Sequence, residues 1–167
     1  ALLKLKESNI VKNIGLSIYS PKVLDQIECL SEIDIVQSPL NVFDKRIVSS
    51  GWLSRLKDMN ITFHARSVFL QGLLLSDIDQ IPKYFSPWAS NFNKWQFFVD
   101  DLRVTKLSAA LKYVNEIKEV DKVIVGCEDV RQFSEILQTL RNINQYKTKF
   151  CGLSSSDEGL INPSNWR

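Results

Sequence analysis

Short runs of β-branched residues alternate with longer stretches of helical periodicity along this chain. The strand candidates are residues 13–18, 33–37, 61–65 and 122–125. Helical patterns cover residues 21–30, 46–57, 88–100, 107–117 and 129–140. This order predicts an α/β protein with four parallel strands, alternating helices outside the sheet and right-handed connections. Two architectures satisfy the pattern: an open four-stranded parallel α/β sheet, or a partial (half) TIM (β/α)8 barrel.

Capping residues and apolar spacing set the expected limits of these elements. Ser20 and Pro21 start the first helix, with proline at its first position. Ser38-Pro39 is expected to break the second strand, and Asp44 to cap the helix after it. Helical spacing groups Val23, Leu24, Ile27 and Leu30 in the first helix, Ile47, Val48, Trp52, Leu53 and Leu56 in the second, and the inward-facing Val130, Phe133, Ile136, Leu137 and Leu140 in the last.

The length allows one compact unit, and we expect a single domain over residues 1–167. The 21 basic and 19 acidic residues nearly balance, which argues against nucleic acid or an anionic membrane as a partner. No apolar run approaches the roughly 18–20 residues of a membrane helix. A complete (β/α)8 barrel needs about 250 residues, so a barrel could be only partly present in this chain.

Three cysteines, Cys29, Cys127 and Cys151, lie far apart and without CxxC spacing. They predict reduced thiols in a cytoplasmic protein, with neither a disulfide framework nor a metal site. The aromatic group of residues 84–98 is interpreted as packing, and Ile161 and Trp166 of the polar tail as docking on the body. The single histidine, His64, is expected to be a hydrogen-bonded core residue.

Several segments, in order, carry a family resemblance. KNIGLSIY at 12–19, followed by Ser20-Pro21, and DIVQSPLN at 34–41 correspond to one strand each. FHARSVFLQGLL at 63–74 and VIVGCEDVRQFSE at 123–135 give the next two strands and a helix. The tail DEGLINPSNWR ends in the expected natural C-terminus, Arg167. Together they resemble the aldo/keto reductases, and specifically the C-terminal half of their barrel, strands five to eight.

This resemblance implies an NAD(P)H-dependent oxidoreductase that reduces a small-molecule carbonyl to an alcohol. In the family, a tyrosine gives the proton, assisted by a lysine, an aspartate and a histidine on the loops of the first four strands. None of these can be matched here, so no catalytic residue is nominated and this chain alone is expected to be inactive. The tyrosines of this chain, which are Tyr19, Tyr84, Tyr113 and Tyr146, do not match the position of the proton donor in the family.

The resemblance also implies part of a site for NADP(H). Ser17 and Gln37 match residues that hold the nicotinamide carboxamide, and Arg66 stands where many members stack an aromatic ring. The loop along the pyrophosphate would contain Ser67, Phe69 and Gln71, and the turn into the last helix Gly126 and Cys127. Gln132 replaces an arginine that often grips the 2′-phosphate, which weakens the preference for NADPH over NADH, and Glu135 matches an adenine contact. We expect weak binding, or none, by this chain alone.

Each of these residues also has a purely structural interpretation. Ser17 and Gln37 could satisfy local backbone groups at strand ends. Arg66 could be an ion-pair partner, and Gly126 the turn residue that ends a strand. The motifs GxGxxG, GxxxxGK[ST], HExxH and GxSxG are all missing from the sequence, which disfavours other nucleotide enzymes without excluding them.

Two function hypotheses remain open. The chain could be a fragment of an aldo/keto reductase-like enzyme, because residues 1–7 look like a helix already under way. Alternatively, it could be a free-standing, non-catalytic half-barrel module that binds a nucleotide or a protein partner. In both cases half a barrel leaves two sheet edges unpaired and its apolar inner face open, so we expect a homodimer or pairing with a missing N-terminal half.

Overall fold

A parallel four-stranded sheet organises the protein. The computed structural model describes residues 1–143 and 148–166; of the sequence predictions, those for Tyr146 and Arg167 lie outside the described residues. The strands of the described part are β1 (Gly15–Ser17), β2 (Ile35–Pro39), β3 (Thr62–Arg66) and β4 (Lys122–Val123). They are all parallel and lie in the order β1-β2-β3-β4. This is the α/β class and parallel arrangement predicted from the alternating pattern.

Helices precede the first strand, connect the strands and follow the last one. In the described residues they are α1 (Leu2–Glu7), α2 (Arg46–Ser49), α3 (Trp52–Asp58), α4 (Ala89–Leu102), α5 (Lys106–Asn115), α6 (Val130–Asn142) and α7 (Glu158–Ile161). Short 3₁₀ helices occupy Pro21–Gln26, Leu30–Glu32, Ile78–Gln80, Lys83–Trp88 and Pro163–Asn165. Over the described residues, no helix combines the length and apolar character needed to span a membrane.

Two predicted helices form differently. The one expected over residues 21–30 is two 3₁₀ helices, although Ser20 does cap it and Pro21 opens it. The two are separated by Ile27, whose backbone is extended (φ −98°, ψ 107°), while Leu24 in the first and Leu30 in the second are buried as expected.

The helix expected over residues 46–57 is also interrupted. It divides at Gly51, whose φ of +77° is left-handed and ends α2 before α3 begins. The break turns Val48 outward, 40% exposed, while Ile47, Trp52, Leu53 and Leu56 are buried as expected.

Pro39 does not break β2, contrary to the prediction. The strand continues through Pro39, which lies in register with Arg66 of β3. Along β2, Gln37 presents its backbone to β1 and accepts from the Ile18 N–H at 2.9 Å. Two residues on, the Pro39 nitrogen faces the Ile18 carbonyl but has no hydrogen to donate, and that carbonyl accepts from Arg66 Nη2 at 3.0 Å instead.

The core lies between the sheet and the helices. Val36, Phe63 and Ala65 on the helix-facing side of the sheet have no exposed surface. Trp95 of α4 is 2% exposed, stacks on Phe98 with ring centroids 6.0 Å apart, and donates from Nε1 to the Leu74 carbonyl at 2.9 Å. This bond fastens the long segment after β3 to α4.

The aromatic group and the tail pack as the sequence predicted. Phe85 lies edge-on to Phe92 and to Trp166, with ring centroids 6.1 and 4.9 Å apart. Leu160 and Ile161 of α7 are fully buried. The tail therefore covers one side of the aromatic group. Phe97, another residue of this group, lies on the surface and is 73% exposed.

The face of α6 that was expected to be inward is largely open. Only Ile136 is buried, whereas Val130, Phe133, Leu137 and Leu140 are 81%, 47%, 41% and 38% exposed. The reason is topological: β4 is the last strand of the described sheet, and α5 is the main packing partner of α6.

The inner face of the sheet is less apolar than was predicted, because a polar row crosses it although Ile35 lies on the same face. Residues in register on parallel strands face the same side. Ser17, Gln37, His64 and Lys122 form one such row across all four strands. This row, one residue per strand, places polar side chains on the side of the sheet that no helix covers.

Candidate functional site

The carboxyl ends of the four strands meet at one edge of the sheet, where barrel enzymes bind their ligands. A groove of about 670 Å³ lies at this edge, between the loop after β3 and the loop from β4 to α6. Seven of the ten predicted cofactor residues line it: Arg66, Ser67, Phe69, Gln71, Gly126, Cys127 and Gln132. Residues almost 60 positions apart in sequence therefore form one concave surface, which is called the carboxyl-edge groove below.

Ser17 and Gln37 lie beside this groove, on the inner face of the sheet. They share a depression of about 290 Å³ with His64 and with residues of β1 and β2. Their register in neighbouring strands places a hydroxyl next to an amide. Glu135, the last predicted residue, is exposed one turn into α6 and is not among the groove residues.

Arg66 is held by the protein itself. Its guanidinium lies 4.4 Å from the centroid of the Tyr19 ring, donates to the Ile18 carbonyl at 3.0 Å and to Ser67 Oγ at 3.2 Å. Its Nε is buried without a partner among the described residues. Arg66 thus ties the carboxyl end of β3 to that of β1 through a cation–π contact and a hydrogen bond, rather than an ion pair.

The loop after β3 has an unusual backbone. Ser67, Leu70 and Gln71 take left-handed φ values of +56°, +47° and +55°. Such conformations persist in non-glycine residues where the surroundings determine them. One determinant is Asn41, which donates from Nδ2 to the Ser67 carbonyl at 3.0 Å. The loop that forms the groove wall is therefore fixed from the neighbouring strand.

Asn41 is a structural determinant of the site that the sequence analysis did not single out. It is 1% exposed, and its Oδ1 accepts from the backbone N–H groups of Phe43 and Asp44 at 3.0 and 2.9 Å. This is an Asx-type turn directly after β2. The signal was available in the sequence, as an asparagine just beyond a strand that ends in proline.

A charged cluster braces the same end of the sheet. The buried Asp44 carboxylate accepts from Arg46 Nε at 2.9 Å and Nη2 at 2.8 Å. Arg46 also donates to the Tyr19 carbonyl and to Glu158, both at 3.0 Å. The bonds to Asp44 are the largest cause of a raised Arg46 pKa. The prediction that Asp44 caps the helix is wrong in position, because Lys45 is the N-cap residue of α2, although Asp44 Oδ1 does accept from the Arg46 N–H at 3.2 Å.

The start of α6 offers little to an anion. Asp129 caps the helix by accepting from the Gln132 N–H at 2.7 Å, and the Gln132 side chain accepts from the Glu128 N–H at 2.9 Å. Among the described residues that line the groove, Arg66 is the one cation and Glu128 the one anion. The carboxyl-edge groove is therefore close to electrically neutral.

Tyrosines lie in different parts of the structure. Tyr19 is 52% exposed at the carboxyl edge of β1. Tyr84 donates to the Gly159 carbonyl at 3.3 Å, in the helical layer. Tyr113 is buried in α5, and burial raises the pKa of its hydroxyl. Over residues 1–143 and 148–166, no group of three or more metal-binding side chains comes together.

His64 differs from the hydrogen-bonded core histidine that was expected. It lies on the inner face, and its Nε2 is buried without a hydrogen-bond partner in the described structure. Burial lowers its pKa from the usual 6.5, Lys122 lowers it further, and Asp121 opposes the shift. The neutral imidazole is therefore the form that this position favours.

A pH dependence of stability follows from His64. Below pH 6.5 the unfolded chain binds a proton that the folded protein resists, so we expect unfolding free energy to fall as the pH drops below that value. Because the chain has one histidine, its Cε1 proton signal reports the folded pKa directly in an NMR titration. His64→Gln should remove this component of the pH dependence, and a folded pKa at or above 6.5 would contradict the prediction.

A four-stranded parallel sheet with helices and a groove at its carboxyl edge fits a partial (β/α)8 barrel. The sequence profile of the Aldo/keto reductase family matches residues 1–151. The chain therefore belongs to the aldo/keto reductase family. Among curated proteins, no sequence gives a significant match.

Solved structures agree with this fold. The holo form of aldo-keto reductase AKR11C1 from Bacillus halodurans superposes with a TM-score of 0.67 at 18% identity, covering 83% of this chain and 47% of that one. Glycerol dehydrogenase AKR11B4 from Gluconobacter oxydans gives a TM-score of 0.54 at 16% identity, covering 89% and 54%. The thermostable aldo-keto reductase Tm1743 gives 0.60 at 14% identity, covering 89% and 48%. This chain spans about half the length of these relatives.

Proposed function

We propose that this chain is the nucleotide-binding, C-terminal half of an NAD(P)H-dependent oxidoreductase that reduces carbonyls to alcohols. The observation that carries the proposal is the carboxyl-edge groove. It joins the loop after β3 to the start of α6, and a second depression with Ser17 and Gln37 lies on the inner face of the same sheet. An extended dinucleotide would occupy both, with polar groups at one end.

The residues fit one end of such a cofactor better than the other. A hydroxyl and an amide at Ser17 and Gln37 supply the donors and acceptors that a carboxamide requires. The Ser67–Gln71 loop would run along the pyrophosphate, with Arg66 as its nearest positive charge. When bound, the cofactor would supply the hydride; the residues of this chain would hold and orient it.

The groove offers no comparable partner for the 2′-phosphate of NADPH. Gln132 is neutral, and its side-chain oxygen is already engaged by the Glu128 N–H. A phosphate without a facing cation gains little from binding there. The proposal therefore includes weak cofactor binding with no marked preference between NADPH and NADH, and no carbonyl reduction by this chain alone.

Titration of the whole chain with NADPH and with NADH, followed by their fluorescence, tests the proposal. We expect weak, saturable binding of both, with dissociation constants within about threefold of each other. Gly126→Leu should weaken both at least about tenfold, since a Cβ at Gly126 meets no atom within 4 Å and the larger side chain extends into the groove.

Asn93→Leu on the exposed face of α4 is the matched control and should bind like the parent. Saturable binding that Gly126→Leu leaves unchanged, or no binding of either nucleotide, would refute the nucleotide site. A strong preference for NADPH would refute the account of Gln132. Turnover of an aldehyde that survives rigorous purification would refute the assignment of catalysis to residues outside this chain.

A further inference from the structure

The surface of α4 is open for a reason other than the absence of further barrel strands. Helix α4 follows β3, which lies between β2 and β4 in the sheet. Further strands of a closed barrel would adjoin β1 and β4. The elements that α4 packs against are α5 and the 3₁₀ helices before α4, all of which belong to this chain. The exposed face of α4 therefore belongs to the outer, helical layer of the barrel.

A groove of about 610 Å³ lies on this face, between α4 and residues 151–153 of the tail. Four of its α4 residues follow the spacing i, i+3, i+4, i+7, which places them on one side of the helix: Lys94, Phe97, Phe98 and Asp101. Phe97 is 73% exposed. The same face thus carries an exposed aromatic ring and, next to it, a groove of the kind that aromatic rings fill at protein interfaces.

Opposite charges lie on the two sides of Phe97 along the helix. Lys94 precedes Phe97 by about one turn and Asp101 follows it by about one turn. Among the described residues that line the groove, these two are the charged ones. Both are exposed, and neither forms an ion pair within residues 1–143 and 148–166. They lie about 10 Å apart along the helix axis, too far to pair with each other.

Two such faces are complementary when the helices run antiparallel. A two-fold axis that passes near Phe97, perpendicular to α4, reverses the helix direction and brings Lys94 of each copy to Asp101 of the other. In a two-fold interface every contact occurs twice, so both ion pairs form together. The same axis brings the Phe97 ring of each copy to the groove of the other. A parallel arrangement would instead place like charges against each other, which disfavours it.

We propose that α4 is a homodimer interface, in which two copies of this chain pack with their α4 helices antiparallel about a two-fold axis near Phe97. The ring of Phe97 enters the groove of the second copy, and Lys94 pairs with Asp101 across the interface in both directions. The occupant of the groove is a second copy because this face is complementary to itself in charge and in its aromatic contact. The interface goes beyond the proposed function and does not depend on nucleotide binding.

Sedimentation of the whole chain across micromolar concentrations tests the dimer, and charge reversal tests its geometry. Lys94→Asp and Asp101→Lys each turn two attractive contacts into two repulsive ones, so each should raise the dimer dissociation constant at least about tenfold. The double variant Lys94→Asp/Asp101→Lys restores opposite charges and should dimerise like the parent. An equimolar mixture of the two single variants should also form dimers, because each variant then meets its opposite charge.

A second pair of variants tests the aromatic contact. Phe97→Asp should raise the dissociation constant at least about tenfold. Phe133→Asp is the matched control, since Phe133 is 47% exposed on α6 and does not line the groove, and it should leave the equilibrium unchanged. Circular dichroism shows whether each variant is folded, at concentrations below the range of dimerisation. A monomer at every concentration, single charge variants that associate like the parent, a mixture that does not associate, or equal effects of Phe97→Asp and Phe133→Asp would each overturn the proposal.

Discussion

Replacing Trp95 with alanine should lower the free energy of unfolding by about 3 to 5 kcal/mol. The indole is 2% exposed, so its removal leaves a cavity in the helical layer. The substitution also removes the donor to the Leu74 carbonyl. An unpartnered buried carbonyl adds to the cost of the cavity. Urea unfolding followed by circular dichroism measures the change.

Two controls separate the parts of this effect. Trp95→Phe keeps most of the packed ring and loses the Nε1 donor, so it should cost less than the alanine variant. Phe97→Ala, two residues along the same helix and 73% exposed, should change the unfolding free energy by less than about 0.5 kcal/mol. Equal losses from Trp95→Ala and Phe97→Ala would show that Trp95 does not anchor the segment after β3.

The substitution Asp44→Asn should cost about 2 to 3 kcal/mol of unfolding free energy. Asp44 is 1% exposed and accepts two charge-assisted bonds from the Arg46 guanidinium. The asparagine amide retains one acceptor oxygen and turns two donors toward a cation, so at least one of these bonds is lost. Thermal and urea unfolding together measure the loss.

Asp79→Asn is the matched control for this charge change. Asp79 is exposed in a 3₁₀ helix, and its neutralisation should alter stability by less than about 0.5 kcal/mol. If Asp44→Asn were as mild, the cluster of Asp44, Arg46 and Glu158 would contribute little to the carboxyl edge. The stability of the carboxyl edge would then be attributed to the Asn41 turn instead.

The strands could be predicted because their signal is local. Val36, Phe63 and Ala65 alternate with half-buried neighbours. This period of two is visible within each strand and does not depend on how the strands are connected. The 3₁₀ helices after β1 could not be distinguished from an α-helix, since the six residues Pro21–Gln26 are too few for the apolar spacing to separate the two periods. The position of Gly51 decided the division between α2 and α3.

The exposure of the apolar face of α6 could not be predicted from the sequence. An apolar stripe such as Phe133, Leu137 and Leu140 reads as buried whenever a neighbouring element exists to cover it. The hydrophobic pattern shows which side chains the helix could bury. Whether they are buried depends on which elements lie next to β4 and α6. The inner face differed for a related reason: register, which no single strand reveals, aligned Ser17, Gln37 and His64 in one polar row.

Much of the candidate site could be predicted because it follows strand ends. Ser67, Phe69 and Gln71 come directly after β3, and the carboxyl ends of parallel strands share one edge. The partners of Arg66 could not be predicted, because Tyr19 and Ile18 are nearly 50 residues away in sequence. Whether these residues bind a dinucleotide remains a prediction, with the groove as its support.

The order of the strands has a consequence for how the chain is made. Each strand pairs with the one synthesised immediately before it, since the sheet order β1-β2-β3-β4 equals the chain order. Pairing of nearby segments keeps the entropy lost in closing each loop small. A ribosome releasing the chain from its amino terminus therefore delivers every new strand to an edge that already exists. Assembly of the sheet can keep pace with translation, one strand and one crossover at a time.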